Sequence, residues 1–199
     1  MRSIALTATK RDQVGSKSSK ALRLAGNIPC VVYGGEQNLS FYLEGKVANK
    51  IVFTPDFSRI DITIDSNTFP CIIKEIQFHK LTDVVTHIDF LQLVEDKKVI
   101  CDVPIKLIGV SKGVREGGRM LVKVRKLRLK CFPKHLVDTI NINIDSLELG
   151  KSVKVGDVKL DNIEILNSAN IPIASVEVTR ALKSAATEAA KAEATSKKK

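Results

Sequence analysis

Alternation with a period of two is the feature that most restricts what this chain can fold into. In Ile60-Asp61-Ile62-Thr63-Ile64-Asp65 every second residue is an isoleucine. That is the pattern of a strand with one face buried and the other wet. Asp65-Ser66-Asn67 supplies turn residues, and 69–77 reads as the returning arm of a hairpin. Thr86-His87-Ile88-Asp89-Phe90 alternates again, with Ile88 and Phe90 to one side and His87 and Asp89 to the other. Ile4, Leu6 and Ala8 alternate near the start, Cys30-Val31-Val32-Tyr33 is a short apolar run closed by Gly34-Gly35, and 39–43 is a further candidate strand. A short helix is expected over 46–52, stopped before Pro55. Many short strands with one or two helices predict a small β-barrel.

Between the first strands lies the stretch 11–35, RDQVGSKSSKALRLAGNIPCVVYGG. Ser16 or Ser18 is suited to cap a helix running to about Ala25, with Gly26 as its C′ residue. On a helical wheel Lys17, Lys20 and Arg23 share one face, and Ala21, Leu22 and Ala25 share the other. The helix is therefore expected to seat its apolar side on the core and to present its cations outward. Residues 1–94 carry 11 basic and 9 acidic residues, yet 10–23 holds five of those cations against Asp12 alone. A local basic patch on a near-neutral body, with hydroxyls and helix-start N–H groups, suits phosphate. The same charges also fit an ordinary solvated helix face. His87 and Asp89 read as RNA contacts, as an exposed hydrogen-bonded pair, or as a catalytic dyad, which lacks a nearby nucleophile in sequence, and Tyr33 reads either as an RNA contact or as a cap on the core. An aspartate at such a place suits base or 2′-hydroxyl readout, because phosphates would repel it.

The polar run Glu95-Asp96-Lys97-Lys98 marks a domain boundary, giving domains 1–94 and 95–178 and a tail 179–199. The second domain is expected to be mainly β, with strands over 99–107, 121–131, 139–144, 153–160, 163–166 and 171–178 and a flexible loop over 109–118. Pro104 predicts an edge or a bulge. Within 121–131 the apolar residues slip phase at Arg125-Lys126, which predicts a bulge or a break. The strand region 119–130 is strongly basic and reads as an RNA or protein contact or as the wet face of a sheet. The tail, rich in Ala, Lys, Glu, Ser and Thr and ending in three lysines, holds too little apolar surface to fold alone and is expected to be disordered.

Cys30, Cys71, Cys101 and Cys131 are far apart, with no CxxC pair. They predict free, buried thiols in a reducing compartment and no metal site. No apolar run reaches the length of about 18 residues that spans a membrane. No GxxxxGK[ST] phosphate loop occurs, and no cofactor is expected.

The blocks GSKSSKALRLAGNIPCVVYGG and EIQFHKLTDVVTHIDF, and in the second half VPIKLIGVSKGVREGGRMLVKVRKLRLKCFPKHL and INIDSLELGKSVKVGDVKL, resemble the long, two-domain form of the bacterial large-subunit ribosomal protein twenty-five family, the Ctc or general-stress type. The resemblance covers nearly the whole chain. It implies a non-enzymatic, cytoplasmic, ribosome-bound protein whose first domain is a six-stranded β-barrel with short flanking helices and binds 5S ribosomal RNA in the central protuberance. It places RNA contacts on Arg11, Ser19, Lys20, Arg23, Tyr33, His87 and Asp89, and Lys17 joins them by its position on the cationic face. Neighbouring ribosomal proteins are the expected partners of the second domain, and the free protein is expected to be monomeric. The chain departs from the family pattern at Lys17, where a glycine is usual, and at Ser19-Lys20-Ala21-Leu22-Arg23, where Ser-Arg-Arg-Leu-Arg is usual. Lysine keeps the charge but lacks the planar fork of arginine, so weaker contacts are expected there. Three other classes stay open on the residues alone: a barrel that reads a transfer-RNA loop, a cysteine hydrolase using Cys30 or Cys71, and a stress-related or ribosome-associated scaffold acting through the second domain.

Overall fold

The structure is a computed structural model that describes residues 2–35 and 37–179. The tail expected to be disordered lies, from residue 180 on, outside the described residues. The chain divides into two compact units. The first runs through Val103 and adds Leu129–Asp138 and Asn162–Glu164, and the second holds Pro104–Arg128, Thr139–Asp161 and the chain from Ile165 on.

The first unit contains β1 (Ser3–Thr7), β2 (Thr9–Lys10), α1 (Ser16–Leu24), β3 (Asn27–Tyr33), β4 (Leu39–Glu44), α2 (Gly45–Val52), β5 (Arg59–Ile64), β6 (Asn67–Phe78) and β7 (Val85–Gln92). Its seven strands form one sheet in the order β1-β5-β6-β7-β3-β4-β2. The β1–β5 and β7–β3 pairs are parallel, and the others are antiparallel. The expected closed six-stranded barrel is corrected to a curled, open half-barrel. The N-terminal segment, read from its alternation as one strand, breaks at Ala8 and changes partners. Ser3–Thr7 pair with β5, whereas Thr9 and Lys10 pair with Tyr42 and Phe41 of β4. One segment thus supplies both outer strands, and these do not pair with each other.

The core follows the alternation. Ile60 and Ile62 have no exposed surface, and Ile64 is buried beside them. Ile88, Phe90, Phe41, Leu43 and Val32 complete the interior, with the Phe41 and Phe90 ring centroids 5.7 Å apart and tilted. The hairpin turn is made by Asp65 and Ser66, both at positive φ (46° and 75°). Two left-handed residues give a loop a twist that matches its flanking strands.

In the second half, β8 (Val99–Ile108), β10 (Lys126–Cys131), β11 (Ile140–Asn143) and β13 (Glu164–Ile165) form a four-stranded sheet, while β9 (Arg119–Val122), β12 (Ser152–Lys154) and β14 (Pro172–Glu177) form a three-stranded one. The phase slip at Arg125-Lys126 is a full break, and β9 and β10 join different sheets. Two expectations are corrected. The loop 109–118 contains a short helix, α3 (Lys112–Arg115), whose start is capped by Ser111 Oγ accepting from Val114 N–H at 3.2 Å. The strand expected over 153–160 ends at Lys154, because the backbone turns there and Lys154 N–H donates to Asp157 Oδ2 at 2.8 Å.

Phe90 fills the centre of the first unit, so Phe90→Ala should lower its stability by about 3–5 kcal/mol. Urea unfolding followed at two wavelengths measures this, and a loss below about 1 kcal/mol would mean that the ring is not a core element.

Candidate nucleic-acid interface

α1 is built from polar ties. Its N-cap is Gly15, at φ 141°, and not the expected Ser16 or Ser18. The hydroxyls are used otherwise: Ser18 Oγ donates to Gln13 O at 3.1 Å, and Ser19 Oγ donates to Gly15 O at 2.8 Å. Arg11 gathers this loop. Its Nε donates to Gln13 O at 2.7 Å, and its Nη2 donates to Gly15 O at 3.3 Å and to Ser19 Oγ at 2.9 Å. Its own N–H donates to Ser40 O on the outer part of the sheet at 2.9 Å. Arg11 and Ser19 are therefore largely engaged inside the protein, as the frame of the helix start.

The expected apolar seat of α1 is also corrected. The helix has no buried residue, Ala21 and Ala25 are exposed, Leu22 is half-buried and Leu24 is 81% exposed. Its far end is held by backbone. Gly26 sits at φ 80°, and its carbonyl accepts from Gly45 N–H at 3.0 Å. A Cβ on Gly45 would lie 2.8 Å from that oxygen, so the start of α2 can approach only as glycine. Lys17 and Lys20 are exposed and make no ion pair among the described residues. Arg23 Nε donates to Thr86 O at 3.0 Å, which lays its guanidinium against β7.

Beside Arg23 the outward face of β7 carries His87 and Asp89. His87 Nδ1 lies 2.7 Å from Asp89 Oδ1, but off the line of a directed hydrogen bond. Two residues that sequence reasoning missed complete the face. Gln77 is opposite His87, and Glu75 is opposite Asp89 across the β6–β7 ladder. Their alternation with Ile76 was a usable signal, but a register shift between Ile73 and Glu75 hides the phase from the preceding apolar run. On the other flank Val31 of β3 is opposite Asp89, and Tyr33 follows two residues on. Burial, and then the negative charges of Asp89 and Glu75, push the Tyr33 phenol up. Tyr33 is thus a neutral donor beside two acids. The surface combines carboxylate acceptors, an amide, an imidazole and a phenol, with cations adjoining at Arg23.

Residues 6–90 match the Ribosomal L25p family, and residues 98–180 match the family described as Ribosomal protein TL5, C-terminal domain. A protein of Cytophaga hutchinsonii described as large ribosomal subunit protein bL25 is 40% identical over 191 residues, covering 96% of this chain and 100% of that protein. Proteins of the same description from Azobacteroides pseudotrichonymphae and Porphyromonas gingivalis are 38% and 34% identical, over 92% and 94% of this chain and 98% of each of theirs. This chain belongs to the Ribosomal L25p family.

Membership agrees with the state of the cysteines. All four are free and buried. Burial raises Cys30, Cys71 and Cys101 to about 12 and raises Cys131 as well, which disfavours the thiolate that a hydrolase nucleophile needs. No group of three or more metal-ligating side chains occurs among the described residues, and no described helix is long and apolar enough to cross a membrane.

Two outcomes follow from these contacts. Arg11→Lys keeps the charge and loses the fork, so amide exchange at Ser19, whose N–H donates to Gly15 O, should quicken by about tenfold, equivalent to ~1.4 kcal/mol, while β5 amides stay unchanged. Equal exchange in both proteins would remove Arg11 from the frame. The buried thiols set an alkaline limit. Below pH 9.0 both folded and unfolded chains keep these protons. Between 9.0 and about 12 only the unfolded thiols ionise, so stability should fall as pH rises through that window. Urea midpoints under reducing conditions at pH 8.5 and 10.5 test this, and the fall should be shallower in Cys71→Ala.

Proposed function

We propose that this protein is a structural constituent of the large ribosomal subunit, and that its first domain, 1–94, binds 5S ribosomal RNA in the central protuberance. Family membership and the description of the relatives as large-subunit proteins support the ribosomal part. The observation that carries the RNA part is a cationic helix set against an acid-bearing sheet face, joined by the Arg23 to Thr86 hydrogen bond. Phosphates are met by Lys17, Lys20 and Arg23, and by the part of the Arg11 guanidinium not spent on the loop. Ser19 holds the helix start in place. His87, Asp89 and Tyr33, with Glu75 and Gln77, meet base edges and 2′-hydroxyls, where acceptors are useful and phosphate is absent. RNA is recognised in this way over a wide, shallow minor groove, by shape and hydroxyls more than by sequence. The second domain, 95–178, reaches neighbouring ribosomal components, and the tail 179–199 adds cations. The protein acts by assembly and stabilisation, not catalysis, as a cytoplasmic, ribosome-bound monomer.

The test is binding to labelled 5S RNA under excess transfer RNA. Tight binding should survive the competitor, fall on Arg23→Ala and on Asp89→Ala, and weaken with a log–log salt slope of roughly −3 to −4. Loss of binding to the competitor, with Asp89→Ala unchanged, would reduce the interaction to cation–phosphate attraction and favour the transfer-RNA reading.

A further inference from the structure

β9 is the outer strand of the three-stranded sheet, and its inner side is fully accounted for. Arg119, Met120, Leu121 and Val122 are in register with Glu177, Val176, Ser175 and Ala174 of β14. Beyond them Lys123 N–H donates to Ile173 O at 2.8 Å. Backbone groups along an antiparallel strand face the partner at every second residue. With Lys123 facing β14, Leu121 and Arg119 face it too. Met120 and Val122 therefore turn their N–H and C=O groups to the open edge, and no hydrogen bond is made to them there among the described residues.

The side chains are equally open. Met120, Leu121 and Val122 are 37%, 37% and 40% exposed, three large apolar residues in a row. Soluble proteins usually protect such an edge, since it is a template for another strand. Here protection is confined to the ends, where Arg119 and Lys123 stand, with Arg125 and Lys126 following.

These charges select the occupant. An antiparallel pairing with a second copy centred on Leu121 would set Arg119 against Lys123, like against like. The chain's own residues 180–199, with six basic and two acidic residues, meet the same repulsion. Nucleic acid satisfies the cations but offers no ladder of amides to Met120 and Val122. An extended protein segment with acidic residues flanking apolar ones satisfies both demands. We propose that β9 is a docking edge that takes an extended acidic segment of a partner protein as a fourth strand of this sheet. The inference stands on the edge itself and does not need the RNA reading of the first domain.

The experiment uses the full chain, isotope-labelled, with a blocked nine-residue peptide of alternating glutamate, valine and threonine as the probe. A lysine-for-glutamate version is the control. The readout is amide exchange at Met120 and Val122. At ten times its Kd the acidic peptide should slow both amides by about tenfold, and the basic peptide should leave them unchanged. Val122→Pro removes one outward N–H and none that bonds to β14, so it should weaken binding at least tenfold. Lys123→Glu, which leaves the backbone intact, should do so as well. The proposal is overturned if millimolar acidic peptide leaves both amides unprotected, if both peptides protect equally, or if protection comes instead from self-association or from a short RNA.

Discussion

The N-terminal ten residues hold the curled sheet at two places, and much of the first unit depends on that. Ala8 N–H donates to Thr63 O at 3.0 Å, and two residues later Lys10 is already in register with Phe41. A single segment thereby ties β5, on one side of the sheet order, to β4, on the other. It also delivers Arg11 to a defined place, with its N–H on Ser40 O. From there the guanidinium organises the loop before α1. Without a buried residue of its own, α1 takes its position from these polar ties and from the Gly26–Gly45 contact.

This way of mounting a helix suits the RNA contact proposed for it. A helix seated by apolar burial has part of its surface committed to the core. α1 keeps Lys17 and Lys20 in solvent, while Arg23 reaches the edge of an acid-bearing strand. Glu75 and Asp89 are directly opposite on neighbouring strands, a pairing of like charges that a sheet normally disfavours. His87 Nδ1 lies 2.7 Å from Asp89, and the two acids help to keep the Tyr33 phenol neutral. An arrangement that works against local stability supports the recognition role proposed for this face.

The second unit shows how a small interruption decides a surface. Lys123-Val124-Arg125 separates two strands that a longer run of alternation would have joined. Both Lys123 N–H and Val124 N–H donate to Ile173 O, at 2.8 and 3.2 Å, and the chain then leaves for the other sheet. β9 is left with one partner. Just before it, Gly118 packs against Leu149 and Val176, where a Cβ would lie 2.5 Å from either side chain, so the strand's entry is fixed by close packing. Its outward side has no such constraint.

Sequence alone determined what depends on neighbouring residues and on period. The isoleucines of 60–64, the Ile88 and Phe90 pair and the turn at Asp65-Ser66 are legible because side-chain direction in a strand is a matter of counting by two. The basic character of 10–23 and the family blocks are legible for the same reason, as contiguous text. Tertiary structure decided what depends on partners distant in sequence. It broke the first strand at Ala8, drew Arg11 and Ser19 into the protein, and left Ala21 and Ala25 in solvent. It brought Glu75 and Gln77 opposite Asp89 and His87 through a register shift that no periodicity reveals. Hydrogen-bond pairing and register are set by the whole sheet at once, so the choice of partner for each strand, and with it the composition of the interface, is a property of the fold.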